Sequence, residues 1–400
     1  MKMLRASRGR CVLLLALPVL TLLLAFVPWT FEPTAAAQTA AAPGAPKIAQ
    51  RKFGQIADGR VAELYTLKNK RGTEVSITDF GATVVSIKTA DGGGNFADIL
   101  LGYDDAAAYE AGTAHFGGTI GRYANRIAHG QFKLNGVTYT LAKNNGENTL
   151  HGGLRGFDKM MWQAKDVSGD GPPSLQMDYL SKDMEEGFPG NLQVRVVFTL
   201  TDDNELKIVY SATTDKKTVI NLTNHAYFNL HGNGTILEEQ LTLAADKFTP
   251  VDAGLIPTGE LRPVAGTPFD FREATEVGKR IDGDDEQLKL GHGYDHNWIV
   301  NGGGGKKPVL AATVQDPLSG RKLEVWTTEP GIQFYTGNFL DDSIHGKGGA
   351  VYIKRSALCL ETQHYPDSPN HPKFPTTVLL PGAKFWSETD YKFSAERVGD

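Results

Sequence analysis

The sequence predicts an all-β protein, folded as one large antiparallel β-sandwich, and three observations support this. Glycine and proline are abundant, with 45 and 20 residues in the 400-residue chain, which is typical of many short strands joined by turns. Apolar and polar residues alternate along several segments, as they do in strands with one buried face. Helical periodicity is confined to short stretches such as 273–281, so we expect helices to be minor.

The N-terminal segment 1–37 is typical of an export signal. Cationic residues precede the apolar run Cys11–Trp29, and Ala35–Ala37 supplies small residues for cleavage. We therefore expect a periplasmic or secreted mature protein. An uncleaved membrane anchor is the alternative, because the run is almost long enough to span a bilayer. Residues 38–50, rich in Ala, Gly and Pro, are predicted to be a flexible tether, and no linker divides 51–395, which is predicted to be a single domain.

Three hairpins are predicted within this domain, from alternation on both sides of a turn. The first is built around an Asn-Gly pair, which readily adopts the positive φ angles of a tight hairpin turn. The predicted strands are 132–134 with 137–141, 192–200 with 206–212, and 323–327 after the turn 316–320. Hairpins of this kind favour antiparallel sheets with one apolar face.

Charge and cysteine content limit the possible functions. The net charge is −5 with no long block of Lys or Arg, which argues against a protein that binds nucleic acid. A small molecule is the expected partner, and the oligomeric state stays open. Cys359 is the lone cysteine after the signal segment, and its apolar surroundings predict a buried core thiol rather than a nucleophile.

Other site types are not supported by the sequence. The segment Gly302–Lys307 lacks the spacing of a phosphate-binding loop and is predicted to be a loop. His292 and His296 could face one metal ion on a helix, but Gly291 and Gly293 disfavour a helix there. No Gly-x-Ser-x-Gly motif is present. We therefore expect no metal site.

Two ionisable residues lie in contexts that predict acid–base chemistry. Glu361 directly follows the apolar run 357–360, and His225 lies in the polar cluster 221–229. Polar groups in such surroundings are costly to bury without partners, although a lone His or Glu is often only structural. A carboxylate and an imidazole that face inward together form a general base and a general acid.

Seven motifs, in order along 51–395, resemble the aldose 1-epimerases, also called galactose mutarotases. The motifs are Asn125-Arg126-Ile127, Asn148-Thr-Leu-His151-Gly-Gly153, Gly156-Phe-Asp158, Asn224-His225-Ala-Tyr-Phe-Asn-Leu230, Gly293-Tyr-Asp295-His, Pro330-Gly-Ile-Gln333-Phe-Tyr-Thr-Gly337 and Glu361-Thr-Gln-His-Tyr-Pro-Asp367. The resemblance implies a sandwich of two large twisted sheets, a galactose mutarotase-like supersandwich, that holds a sugar in an open cleft.

The resemblance also implies a reaction and a set of site residues. Glu361 would take the proton of the C1 hydroxyl, and His225 would donate one to the ring oxygen, so that a free aldose such as glucose or galactose opens and recloses as the other anomer. No cofactor is implied. The residues implied to hold the sugar are Asn125, Arg126, His151, Tyr227, Asp295 and Gln333. A glycosidase that uses Glu361 with Asp295, and a non-catalytic carbohydrate-binding protein, are the alternatives.

Overall fold

A computed structural model describes residues 47–397, in which strands predominate, so the predicted all-β class is confirmed. In chain order the strands are β1 (Ile48–Gln55), β2 (Val61–Lys68), β3 (Glu74–Thr78), β4 (Thr83–Ala90), β5 (Phe96–Asp98), β6 (Thr119–Ile120), β7 (Arg126–Ile127), β8 (Gln131–Leu134), β9 (Val137–Thr140), β10 (Thr149–Leu150), β11 (Gln163–Asp166), β12 (Ser174–Ser181), β13 (Leu192–Leu200), β14 (Glu205–Thr214), β15 (Thr218–Val219), β16 (Thr223–Asn224), β17 (Tyr227–Phe228), β18 (Gln240–Leu243), β19 (Lys247–Thr249), β20 (Arg262–Pro263), β21 (Thr275–Glu276), β22 (Asp295–Ile299), β23 (Val309–Gln315), β24 (Arg321–Thr327), β25 (Gly331–Tyr335), β26 (Ile344–His345), β27 (Val351–Tyr352), β28 (Leu358–Gln363), β29 (Val378–Leu379) and β30 (Phe385–Ala395).

Helices are short in this part of the chain. The α-helices are α1 (Ala106–Ala111) and α2 (Glu286–Gly291), and the single 3₁₀ turns are Ala128–Gly130, Phe157–Lys159, Glu185–Gly187, Val277–Lys279, Lys347–Gly349 and Ser368–Asn370. Each α-helix is started by an aspartate, Asp105 or Asp285, whose side chain accepts a hydrogen bond from a backbone N–H of the first turn. Within residues 47–397, no helix has the length and apolar content needed to cross a membrane.

Three antiparallel sheets contain the longer strands. The nine-stranded sheet has the order β11-β12-β13-β14-β30-β24-β23-β18-β21, the six-stranded sheet β17-β28-β25-β22-β19-β20, and the five-stranded sheet β1-β2-β3-β4-β5. Apolar side chains from all three sheets belong to one buried cluster, among them Val196 of β13, Phe334 of β25 and Ile77 of β3. The sheets therefore pack face to face, as the predicted sandwich requires.

The six-stranded sheet separates the core from the functional site. Successive side chains of a strand point to opposite faces. The face toward the core carries Phe228, Trp298, Ile332, Phe334, Leu358 and Leu360. The opposite face lines a cavity with Tyr227, Asp295, Tyr335 and Glu361. The alternation of apolar and polar residues in β22, β25 and β28 thus fixes which side chains can meet a ligand.

The three predicted hairpins are confirmed. β8 pairs with β9 across Asn135 and Gly136, which adopt φ angles of 51° and 79°, as a tight hairpin turn requires. β13 pairs with β14 in unbroken register from Leu192 to Leu200. β24 pairs with β23 across the predicted turn at 316–320.

Two sequence-based assignments differ from the structure. The helical pattern at 273–281 forms the short strand β21 and a 3₁₀ turn instead, because β21 pairs with β18 at the edge of the nine-stranded sheet and Gly278 weakens any helix. β1 begins at Ile48, so residues 48–50 belong to a sheet and not to the tether. The predicted signal segment lies outside the described residues.

Candidate active site

A cavity of about 670 Å³ opens beside the six-stranded sheet, which is within the usual range for small-molecule sites. Its walls include seven of the eight residues singled out in the sequence: Asn125, Arg126, His151, His225, Tyr227, Asp295 and Glu361. The eighth, Gln333, is not among the residues that line the cavity, and its side chain donates a hydrogen bond to Asp295. All eight side chains are buried.

Glu361 reaches the cavity from the middle of β28. Its neighbours in that strand, Leu360 and Thr362, point to the other face of the sheet, and Gln333 of β25 lies directly opposite it in the ladder. Burial raises the pKa of Glu361 well above its usual value, and repulsion from Asp295 adds to this effect, whereas Arg126 opposes it. No group among the described residues hydrogen-bonds to its Oε2 atom. Glu361 is therefore a carboxyl group of increased basicity with a free oxygen.

His225 lies on the short turn between β16 and β17, and its backbone is held from both sides. The N–H of Gly117 donates to the carbonyl of His225 at 2.8 Å, and the N–H of His225 donates to the carbonyl of Gly118 at 3.0 Å. This close approach needs glycine, because a Cβ at Gly117 would lie 2.0 Å from the carbonyl oxygen of Val84. The ring is further fixed by stacking on Tyr227, with centroids 5.0 Å apart.

The two nitrogens of His225 face different partners. Nδ1 lies 3.5 Å from the buried Cys359 thiol, and Nε2 lies 3.6 Å from Oε2 of Glu361. Burial, assisted by repulsion from His115, lowers the pKa of His225 to about 3. Cys359 is buried, as predicted, but its contact with His225 was not evident from the sequence.

The electrostatics of this pair suit coupled proton transfer. A higher pKa makes Glu361 a stronger base than a carboxylate in water, and a lower pKa makes His225 a stronger acid than imidazolium in water. A reaction that removes one proton and delivers another at the same centre needs both changes. The pair is productive when it carries one proton between its two members.

Asn125, Arg126 and His151 are placed together by the two-residue ladder of β7 and β10. Arg126 pairs with Leu150 in that ladder, and the N–H of His151 donates to the carbonyl of Asn125 at 3.1 Å. Asn125 and His151 both adopt positive φ angles, 63° and 51°, which turn their side chains at the strand ends. The backbone N–H of Asn125 donates to Nδ1 of His151, so Nε2 is the atom of the neutral ring that carries a hydrogen.

Asp295 is held by two donors. Nε2 of Gln333 donates to its Oδ1 at 2.8 Å, and Nη2 of Arg126 lies 3.5 Å from its Oδ2. Nε of Arg126 donates to Asn145 on the cavity rim. Gln333 therefore orients Asp295, and it lies directly opposite Glu361 in the ladder of β25 and β28. Its direct contact with a sugar stays a prediction.

The site offers one set of metal-binding side chains within residues 47–397. Ligand atoms of His151, His225 and Glu361 lie within 4.8 Å of one another. Metal binding at Nε2 of His151 would move its hydrogen to Nδ1, where the N–H of Asn125 already donates. This bond favours His151 as a hydrogen-bond donor to a ligand and disfavours it as a metal ligand.

The histidine pair that the sequence suggested for a metal lies elsewhere. His292 caps the C-terminus of α2 in a left-handed conformation with φ of 55°, while His296 is buried in β22 beside Phe248 and Phe269. The two residues thus belong to different elements. The segment Gly302–Lys307 forms a turn and loop between β22 and β23, as predicted.

The sequence analysis missed several residues of the cavity. His115 lines it and contacts buried Asp158, with 2.8 Å between Nδ1 and Oδ2. Phe339 and Tyr335 stack with centroids 6.1 Å apart and form an aromatic edge. Glu147 lies on the rim. His115 had no local signal beyond its glycine-rich surroundings, because its partner is distant in the chain.

Comparisons with known proteins agree with this site. A family model described as aldose 1-epimerase matches residues 63–392. Galactose mutarotase from Homo sapiens is 43% identical over 350 residues, which cover 87% of this chain and 98% of that protein. Aldose 1-epimerase from Escherichia coli strain K12 is 41% identical over 343 residues, covering 85% and 97%. The crystal structure of an aldose epimerase homologue from C. elegans aligns with a TM-score of 0.76 at 33% identity and covers 83% of this chain and 99% of that chain.

Proposed function

The chain belongs to the aldose 1-epimerase family, and on this premise we propose that it interconverts the α and β anomers of free aldoses such as glucose and galactose, with Glu361 as general base and His225 as general acid. The reaction is an isomerisation of carbohydrate metabolism. The observation that supports these roles most directly is the separation of 3.6 Å between Nε2 of His225 and Oε2 of Glu361, within a cavity that also holds several fixed hydrogen-bonding groups.

Ring opening needs two proton transfers. The carboxylate of Glu361 takes the proton of the C1 hydroxyl while the C1–O5 bond breaks, and the imidazolium of His225 protonates O5. The product is the open-chain aldehyde, with Glu361 protonated and His225 neutral. Rotation about C1–C2 and the reverse transfers close the ring with the opposite configuration at C1. The raised pKa of Glu361 and the lowered pKa of His225 both favour the opening step.

The remaining residues hold the sugar. His151 presents its Nε2–H as a donor, Arg126 adds a directed cation, and Asp295 supplies acceptor oxygens. Asn125 and Tyr227 complete the walls beside them. Groups fixed by hydrogen bonds before the ligand enters stabilise developing charge at little reorganisation cost.

The two alternative functions fit the site less well. In a glycosidase Asp295 would serve as a catalytic carboxyl group beside Glu361, but its oxygens are engaged by Gln333 and Arg126. A purely sugar-binding protein has no need of a buried base placed against an imidazole. Both alternatives leave the pairing of His225 with Glu361 unexplained.

We expect this protein to accelerate anomer exchange of freshly dissolved α-glucose and α-galactose, measured by polarimetry, and to release no reducing sugar from a methyl glycoside.

Arg126 is the one Lys or Arg side chain among the described residues that line the cavity, while Glu147, Asp295 and Glu361 are acidic. Arg122 donates hydrogen bonds to the backbone carbonyls of residues 188–190, and Lys143 forms an ion pair with Glu147.

This charge distribution disfavours a phosphate ester, which usually requires additional cations. Glucose 6-phosphate is therefore expected to have a kcat/KM at least about tenfold below that of glucose. A preference for the phosphate ester would contradict the assignment to free aldoses, hydrolysis of the glycoside would favour a glycosidase, and sugar binding without any acceleration would favour a binding protein.

We also propose that the protein is exported and cleaved near Gln38, on the strength of the cationic start and the apolar run Cys11–Trp29. N-terminal sequencing of the protein from its native host should find a start close to Gln38 in the periplasmic or secreted fraction. A chain that retains Met1, or that stays with the membrane fraction, would contradict cleavage.

A further inference from the structure

Three histidine rings meet at one wall of the cavity. The ring centroids of His115 and His151 are 4.9 Å apart, those of His151 and His225 5.1 Å, and those of His115 and His225 6.1 Å. His151 and His225 have roles in the proposed reaction. His115 lines the same cavity but has none so far.

Asp158 distinguishes His115 from the other two rings. Its Oδ2 lies 2.8 Å from Nδ1 of His115, and its side chain is buried. Burial alone would raise the pKa of Asp158, but attraction to His115 and the hydrogen bond to that ring lower this pKa below its usual value, so the group is a carboxylate. Because opposite charges attract strongly in a buried site, this carboxylate favours a positive charge on the ring that it contacts.

Titratable groups face His225 from several elements. The titratable groups that surround it are Cys359 and Glu361 on β28, Tyr227 on β17, Tyr335 on β25, His151 after β10, and His115 with Asp158 behind it. Burial raises the pKa values of the thiol and of both phenols, which are therefore neutral. His115 is the ring on which a positive charge, stabilised by Asp158, would act on His225.

We propose that His115, held by Asp158, is a positioning residue that determines how readily His225 gives its proton to the ring oxygen of the sugar. A cation on His115 disfavours a second cation on His225. Burial first, and then this repulsion, lower the pKa values of both His225 and His151. This inference rests on the proposed role of His225.

The test compares His115→Gln with His115→Lys through the pH dependence of kcat/KM for galactose anomer exchange. Gln can still donate to Asp158 but has no charge, whereas Lys keeps a permanent charge without a ring. We expect the acid limb of this pH profile, which reflects the pKa of His225, to move to higher pH by about one unit in H115Q. The limb of H115K should stay close to that of the unaltered protein. Equal shifts in both variants, or none in H115Q, would reduce His115 to a structural residue and overturn the proposal.

A measurement on the unaltered full-length protein covers the case in which a variant does not fold. The ring Cε1–H signals of the three histidines are followed by NMR from about pH 3 to about pH 8, the range in which imidazoles are expected to titrate. We expect His115 to take up its proton at higher pH than His225. The reverse order would overturn the proposal. If His115 took up its proton first but the protein did not exchange anomers, the coupling between His115 and His225 would be supported and the proposed function would be contradicted.

Discussion

Glu361→Gln is expected to lower kcat for anomer exchange by about 10³-fold, within the range that a positioned general base usually contributes. The amide has the shape of the carboxyl group and can still contact the C1 hydroxyl, but it cannot accept the proton. KM, or the Kd for the sugar, should change much less than kcat. Exchange spectroscopy by NMR, or polarimetry with fresh α-galactose, measures the loss.

Glu239→Gln is the matched control for this substitution. Glu239 and Glu361 are both 2% exposed, but Glu239 lies outside the cavity and accepts from the N–H of Leu230. Burial raises the pKa of Glu239 to about 8, so Gln replaces a group that is already protonated at neutral pH. We expect E239Q to keep most of the activity. Retention of more than a small percentage of kcat in E361Q would exclude Glu361 as the base.

Thermal unfolding separates loss of the base from damage to the fold. The pKa of Glu361 is raised in the folded protein, so folding becomes less favourable as the pH rises and the buried carboxyl group must ionise. A neutral amide removes this cost. E361Q should therefore unfold at a temperature no lower than that of the unaltered protein near neutral pH, and a marked decrease would show that the activity loss is structural.

The fold was predictable where local pattern and environment agree. The Asn-Gly turn at 135–136 specifies a tight hairpin, and the alternation of 192–200 specifies a strand with one buried face. The segment 273–281 was misassigned because its spacing resembles a short helix, while an edge position beside β18 decides its conformation. A pattern of this length cannot reveal which neighbour the chain will find.

The candidate site was predictable to the extent that each residue sits in a local motif. His225 and Glu361 lie in motifs whose sequence already implies inward-facing polar groups, and the cavity contains both. Gln333 was assigned to the sugar, and the structure adds its hydrogen bond to Asp295, which the motif itself does not reveal. The pairing of His115 with Asp158 joins residues 43 positions apart, and no local pattern signals such a contact.

His225→Gln is expected to lower kcat by about 10² to 10³-fold, the usual contribution of a positioned general acid. Gln can donate a hydrogen bond to the ring oxygen but cannot transfer a proton to it, so water must supply the proton during ring opening. The variant also lacks the group whose pKa of about 3 sets the acid limb of the pH profile. That limb should disappear in H225Q, while the pH dependence that reflects ionisation of Glu361 remains.

His151→Gln is the comparison that separates acid catalysis from binding. His151 is as buried as His225 and belongs to the same three-histidine cluster, but the bond from Asn125 fixes its Nε2–H as a donor to the sugar. We therefore expect H151Q mainly to raise KM and H225Q mainly to lower kcat, both measured with galactose across the pH range. If H225Q raised KM alone and kept its acid limb, His225 would be a binding residue, and the general acid would have to be another group of the cavity.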